Sequence, residues 1–405
     1  MENRLKHFLS SINTTYSKPE KKFIADIVTG IIKSKSPIIA DAARAVTSCI
    51  LKFLAVYKRL IRQLGTVDLE FAFSQAQNEA VKLCPSEDVV IAVDGGDLIK
   101  EHARKLEGLG RVPDGSDQHR VKNGYYLNSA IVSSLKERTP VPLFLDIYST
   151  LSEEFISQNE MTNRILVDCS MRLNGKGTFV LDRGYDRTVI YRKLMELPNS
   201  FIVRLKKRAL YEKINNKKIM IGERTLKHGD LKYTCKELNT RKSNKRKKKE
   251  RNIRFDYTEV VFSSTFAGCK SRNIFLVTVW DKERPKPIEL ITTMPIKSPK
   301  DAVLAIKMYF SRWAVEEYYR FIKLELNLED MRLRSLGKLR NMIRAIFIAS
   351  VFIASIAVTP NLQKKMMRTN LTARRRKLKI CFNWCYLALQ FVRISLNHSA
   401  FPMPP

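Results

Sequence analysis

Val89-Val90-Ile91-Ala92-Val93-Asp94-Gly95-Gly96-Asp97 is the stretch on which the fold turns. Five consecutive apolar residues, four of them β-branched, suit a strand buried on both faces. The Asp-Gly-Gly-Asp that follows reads as a turn. Downstream, Tyr125–Val132 and Val141–Tyr148 read as two further strands, the second entered through Pro140 and Pro142. Glu153–Arg172 has the spacing of a helix, with Ser152 placed to cap it. Thr178–Leu181 reads as a strand ending in Asp182-Arg183-Gly184-Tyr185, followed by a helix near Thr188–Leu197 and a strand near Phe201–Leu205. The order β-β-β-α-β-α-β predicts a mixed α/β layer fold.

Outward from this core the character changes. Residues 1–85 read as helical: Phe23, Ile24, Ile27, Val28 and Ile31 form one stripe, and after Ser36-Pro37 helical periodicity resumes from Ile38 to Leu60. Small residues and flanking Lys and Arg suit a compact module that binds DNA ends. A helical packing cap fits the same pattern. Residues 86–205 hold the first part of the α/β core. Residues 206–288 interrupt it with strand-like stretches, Phe255–Phe262 and Asn273–Trp280, and the basic run Arg241–Arg251, expected to be a solvated loop. Residues 289–360 resume the core with a strand at Glu289–Thr292 and a long helix over about Pro299–Leu326. Residues 361–405 form a basic, mostly helical tail.

Composition narrows the function. The 405 residues carry 73 Lys plus Arg against 40 Asp plus Glu, a net charge of +33, with 44% hydrophobic residues. A core can form, and the excess positive charge must lie on its surface, where a polyanion, nucleic acid first, would neutralise it. The first residues lack the apolar stretch of a signal peptide, and seven scattered cysteines make no disulfide framework, so a reduced intracellular protein is expected. Ala345–Val358 is nearly all apolar but shorter than a spanning helix needs, which predicts a buried core helix and no membrane partner. Cys381 and Cys385 lack a second ligand pair and read as core. No Ser/His/Asp or Cys/His arrangement is evident.

The candidate site rests on acids. Asp94 and Asp182 each follow an apolar strand, where a sheet releases side chains into a crevice, and together they suit Mg²⁺. On the long helix Tyr309, Arg312, Glu316 and Lys323 fall within roughly 60° of one another at helical spacing. Val303, Ile306, Phe310, Trp313, Phe321 and Leu324 form the adjacent core stripe, in which Glu317 has no evident role. The Tyr-Arg-Glu-Lys line reads either as a salt-bridge ladder or as a third metal ligand flanked by phosphate-gripping cations.

Tyr309-x2-Arg312-x3-Glu316-x6-Lys323 resembles the signature of insertion-sequence DDE transposases of the family-four type. Asp182-Arg183-Gly184-Tyr185 and Asp94 resemble that family's first two acidic motifs, with Asp97 a near neighbour less well placed than Asp94. The resemblance implies a ribonuclease-H-like core interrupted by a β-rich insertion, and Asp94, Asp182 and Glu316 as catalytic residues holding two Mg²⁺ ions, with Mn²⁺ able to substitute. It implies hydrolysis at transposon ends, then joining of the freed 3′-OH to target DNA. Tyr309, Arg312, Lys323 and Arg183 would contact double-stranded DNA, both the terminal inverted repeats and the target. A homodimer on DNA and a bacterial cytoplasmic, nucleoid-associated setting follow. Some members cut the second strand through a hairpin supported by a Trp. This chain lacks one just before Leu290, which leaves Trp280 as the stacking residue or as packing of the insertion. A transposase-derived nuclease, or a catalytically inactive DNA-binding relative, would share every motif.

Overall fold

A computed structural model describes residues 1–47, 50–115, 117, 120–136, 139–206, 210–214, 217–220, 231–237, 249–262, 272–281, 286–369 and 383–398. The expected mixed α/β architecture is present. Strand β1 (Val89–Ile99) lies between the antiparallel β3 (Val121–Ser134) and the parallel β5 (Thr178–Leu181), and β5 is followed by the parallel β6 (Ser200–Arg204). β4 (Val141–Tyr148) pairs with β3 on one side, and the short β2 (Gly110–Pro113), which sequence patterning did not show, also pairs with β3. The continuous apolar runs are explained by two covered faces. Ile91, Val93, Phe179, Leu181, Phe201 and Val203 join one hydrophobic cluster, and Val90, Val180 and Ile202 join another.

The expected turn at Asp94–Asp97 is not one. β1 runs on through Ile99, paired residue by residue with β3. What ends is the partnership with β5, whose last paired residue on β1 is Ala92. Asp94 thus sits where β1 outruns its parallel neighbour, and the sheet edge opens there although the strand continues.

The insertion adds to the same sheet. β10 (Lys249–Phe262) pairs with β11 (Ile274–Asp281), β11 with β12 (Ile288–Thr292), and β12 with β6, all antiparallel. β7 (Leu210–Ile214), β8 (Lys217–Met220) and β9 (Leu231–Glu237) extend its far side. Of the basic run, 241–248 lie outside the described residues and 249–251 belong to β10, not to a loop.

Five helices open the chain: α1 (Glu2–Ile12), α2 (Lys18–Ser34), α3 (Ile39–Val46), α4 (Ile50–Thr66) and α5 (Glu70–Lys82). The single periodicity read over Ile38–Leu60 is divided between α3 and α4. Helix α6 (Gln158–Arg172) starts later than expected because Ser157, not Ser152, accepts the Glu160 N–H as its cap. The remaining helices are α7 (Thr188–Glu196), α8 (Pro299–Ser311), α9 (Trp313–Leu324), α10 (Leu336–Val358), α11 (Pro360–Thr369) and α12 (Asn383–His398).

α10 is long and apolar enough to cross a membrane by length and composition, but most of it is buried inside the fold. It packs against β4, α2, α4, α5 and α12, so the N-terminal helices share its core, and Cys385 is buried with them. The basic tail segment at 374–377 and Cys381 lie outside the described residues.

Candidate active site

The long helix expected over Pro299–Leu326 is two helices that meet at Arg312. α8 starts at a capping box, Ser298 with Asp301, preceding Pro299. Its Ala302, Ala305, Ile306 and Tyr309 pack in the cluster with Val90, Val180 and Ile202. α9 instead sends Val315, Tyr318 and Ile322 into the cluster on the other side. The chain crosses from one core to the other at Arg312, which places its guanidinium beside the acids at the sheet edge.

Arg312 Nη1 donates to Asp94 Oδ2 at 2.9 Å, and Nη2 to Glu316 Oε1 at 2.6 Å. Its side chain is only 12% exposed. Burial alone would lower its pKa, but Asp94, Asp182 and Glu316 together hold it above the ordinary arginine value. The Tyr309 hydroxyl donates to Asp182 Oδ1 at 3.4 Å. Asp94 is pushed up to about 6, first by burial and then by Asp182 and Glu316, against the pull of Arg312 and of the Gly95 N–H. Acids from β1, from the end of β5 and from α9 therefore surround one buried cation.

Lys323 is committed differently. Its ammonium donates to Asp97 Oδ1 at 2.6 Å and pairs with Glu329 at 3.0 Å. Asp97 also accepts the Gly115 N–H, so the Asp97–Lys323 pair ties β1 to α9. This leaves Asp94 as the acid of that segment that faces the others. Arg183 is exposed in the short 3₁₀ turn directly after Asp182. Trp280 is half-buried on β11, three strands from β5, roughly 14 Å by sheet spacing.

The core stripe on this helix pair needs two corrections. Trp313 and Leu324 are exposed, at 47% and 64%. Trp313, the first residue of α9, turns outward with its indole N–H donating to Glu317 at 3.0 Å. Glu317, buried at 5%, is accounted for by that bond and by an ion pair with Arg320 at 2.8 Å.

The sequence reading assigned no role to three residues of the site. Arg204, at the end of β6, lies 4.0 Å from Asp182, and its charge works against the burial that raises the Tyr309 pKa. Tyr319 donates to the Asp94 carbonyl at 3.0 Å and packs on Gly96. Tyr185 is packed against the main core, and burial raises its pKa well above the ordinary value, with Asp94 adding to the effect. The position of Arg204 beyond an apolar strand end, beside that of Asp182, was the one available signal.

Three acids from distant segments of the chain thus gather around one buried arginine at the sheet edge. Residues 151–352 match a family model described as a transposase DDE domain. The matched span includes Asp182 and Glu316 and begins after Asp94. No curated protein matches. A solved structure described as a cryo-EM structure of the piggyBac transposase synaptic complex with hairpin DNA aligns at 9% identity and a TM-score of 0.42. That alignment covers 99% of this chain and 78% of the other.

Proposed function

We propose that this protein is a DNA transposase of the family-four insertion-sequence type, with Asp94, Asp182 and Glu316 as its catalytic carboxylates. The observation that carries the reading is their convergence on Arg312, in a chain whose residues 151–352 match a transposase DDE domain. The strand order β4-β3-β1-β5-β6, with the first three antiparallel and the last two parallel to β1, supports a ribonuclease-H-like core.

The donor set fits a hard divalent cation, Mg²⁺ or Mn²⁺: carboxylate oxygens, with no thiolate or imidazole among them. Burial is the main cause of the raised Asp94 pKa, and the added repulsion from Asp182 and Glu316 is negative charge such an ion relieves. In the present arrangement Arg312 supplies that positive charge, and among the described residues no group of three acids, histidines or cysteines sits at ligand spacing. When bound, two such ions stabilise the entering and leaving oxygens of an in-line phosphoryl displacement. Arg312 and Tyr309 orient the acids and hold phosphate oxygens beside them, and Arg183 grips the backbone from the rim. Water is the first nucleophile and the freed 3′-OH the second, so no side chain need form a covalent intermediate. Terminal repeats and target DNA are the substrates, and two copies act on paired ends in the bacterial cytoplasm. Trp280, at its distance from the acids, serves a hairpin intermediate only if the DNA path reaches β11.

End cleavage on the DNA flanking the protein's own coding region tests the assignment. With Mg²⁺, wild-type protein nicks that duplex, whereas Asp94→Asn, Asp182→Asn and Glu316→Gln bind it and leave it whole. A Glu316→Gln protein that cuts at the wild-type rate overturns the assignment.

A further inference from the structure

Lys323 closes the Tyr-Arg-Glu-Lys line, which the resemblance assigns to DNA contact, yet its surroundings are those of a structural cation. Its ammonium meets two carboxylates, Asp97 at 2.6 Å and Glu329 at 3.0 Å. One cation between two acids leaves a formal charge of 1 − 2 = −1, which repels a phosphate. The Lys323 side chain is 25% exposed and that of Asp97 11%, so water screens the bond between them poorly. Asp97 is engaged through both oxygens: Oδ1 accepts from Lys323, and Oδ2 accepts the Gly115 N–H at 2.9 Å. Asp94 and Asp97 lie three residues apart on β1, so strand alternation points their side chains to opposite faces. Asp97 is therefore not a fourth acid of the site.

The pair matters through its position. Along a strand, the three steps from Asp94 to Asp97 span roughly 10 Å. Along a helix, the seven steps from Glu316 to Lys323 span about 10.5 Å. Helix α9 and strand β1 are thus tied at two points of matching spacing. Asp94 meets Glu316 through Arg312, and Asp97 meets Lys323 directly. Between the ties, the Tyr319 hydroxyl donates to the Asp94 carbonyl and its ring packs on Gly96. The turn after α9 is fastened to the same strand. Lys100, the residue that follows β1, donates to the carbonyl of Glu329 and, at 2.7 Å, to that of Met331. A helix released at the Lys323 end would be free to swing about Tyr319, and that motion changes the separation of Asp94 and Glu316.

We propose that Asp97 is a positioning residue: with Glu329 it pins Lys323, and so holds Glu316 at the separation from Asp94 that a shared divalent ion needs. Lys323, in this assignment, grips no phosphate. The ion rests on the transposase reading, whereas the register of α9 along β1 does not. Because the pair is largely buried and hydrogen-bonded, removing either partner leaves the other's charge uncompensated.

Two titrations of the full-length protein test this: Mn²⁺ uptake followed by electron paramagnetic resonance without DNA, and the salt slope of binding to a blunt duplex. The acids' share of the Mn²⁺ uptake is the part that Glu316→Gln removes. Asp97→Asn and Lys323→Met should each weaken that share at least about tenfold, the lower end for outer partners of metal ligands. Lys323→Arg, which keeps the cation, should stay near wild type. None of the three should change the salt slope. The Asp97→Asn, Lys323→Met double variant carries neither charge and decides the matter if a single variant fails to fold. It should show the loss of one substitution, not the product of two. A lysine that grips phosphate gives the reverse pattern, in which Lys323→Met lowers the slope by about 0.9 and spares Mn²⁺. That pattern, multiplied losses in the double variant, or wild-type Mn²⁺ affinity in Asp97→Asn overturns the proposal. If Glu316→Gln removes no Mn²⁺, the metal reading fails by itself; an unchanged slope in Lys323→Met then retains the pin, and a lowered one removes it.

Discussion

At Gly96 a side chain has nowhere to go: a Cβ would stand 2.8 Å from the Tyr319 ring. That ring is 9% exposed, and its hydroxyl holds the carbonyl of Asp94, so the smallest residue in β1 lets α9 close on the strand that carries the first acid. Gly96→Ala should therefore cost about 1–3 kcal/mol, the range for overpacking a filled core, as read from urea unfolding. It should also lower end cleavage, because displacing Tyr319 moves the backbone of Asp94. A variant with wild-type stability would show that the ring slides aside freely. The same scale settles Asp94 against Asp97. Both follow the apolar run, but Asp97 is spent on Lys323 and on Gly115, whereas Asp94 meets Arg312 among the other acids.

Among the elements, α8 and the break after it do most to build the site. The Ser298–Asp301 capping box fixes where α8 begins, and so the height at which Tyr309 meets Asp182. Ser298→Ala should cost about 1 kcal/mol in unfolding free energy, the usual loss of an N-cap. Asp301 lies below its ordinary value of 3.8, chiefly through the Ser298 hydroxyl and with help from the Lys297 and Ser298 N–H groups. A carboxylate lowered in the fold stabilises it fully above the unfolded pKa and loses that contribution as pH falls through the folded one. The stability gap between wild type and Asp301→Asn should thus be complete at pH 6 and shrink below about pH 4. A gap that stays constant to pH 3 would show that the box does not titrate with the fold. Sequence periodicity identified this region as helical and aligned Tyr309, Arg312, Glu316 and Lys323, but it is blind to a break of one residue.

For the whole molecule, the charge of +33 and the shared core set the terms of DNA binding. Because α2, α4 and α5 pack on α10, the first 85 residues cannot be cut away without baring that helix, and surface variants must probe them instead. Lys52, Lys58 and Arg62 stand exposed along α4. If they track phosphates, replacing all three with Gln should reduce the log–log salt slope of duplex binding by about 2.7, at roughly 0.9 per neutralised phosphate. An unchanged slope would leave those helices as a packing cap and move the DNA path elsewhere on the surface.

Most strand and helix types, strands within residues 206–288 and the buried status of α10 were legible in the sequence, because each is written in local periodicity and apolar content. So were Asp94, Asp182 and Glu316 as candidates, since an acid after an apolar run and a Tyr-Arg-Glu-Lys line on a helix are local patterns too. What no local pattern contains is the partnership of strands. The edge at Asp94 exists because β5 stops pairing with β1 at Ala92, a fact about two segments far apart in the chain. Arg204 joins the site because β6 lies parallel beside β5, and Tyr319 because α9 crosses Gly96. The insertion became part of the main sheet because β12 found the free edge of β6. Arg312 stands among the acids because α8 packs into one hydrophobic cluster and α9 into the other, and it lies where the two helices meet.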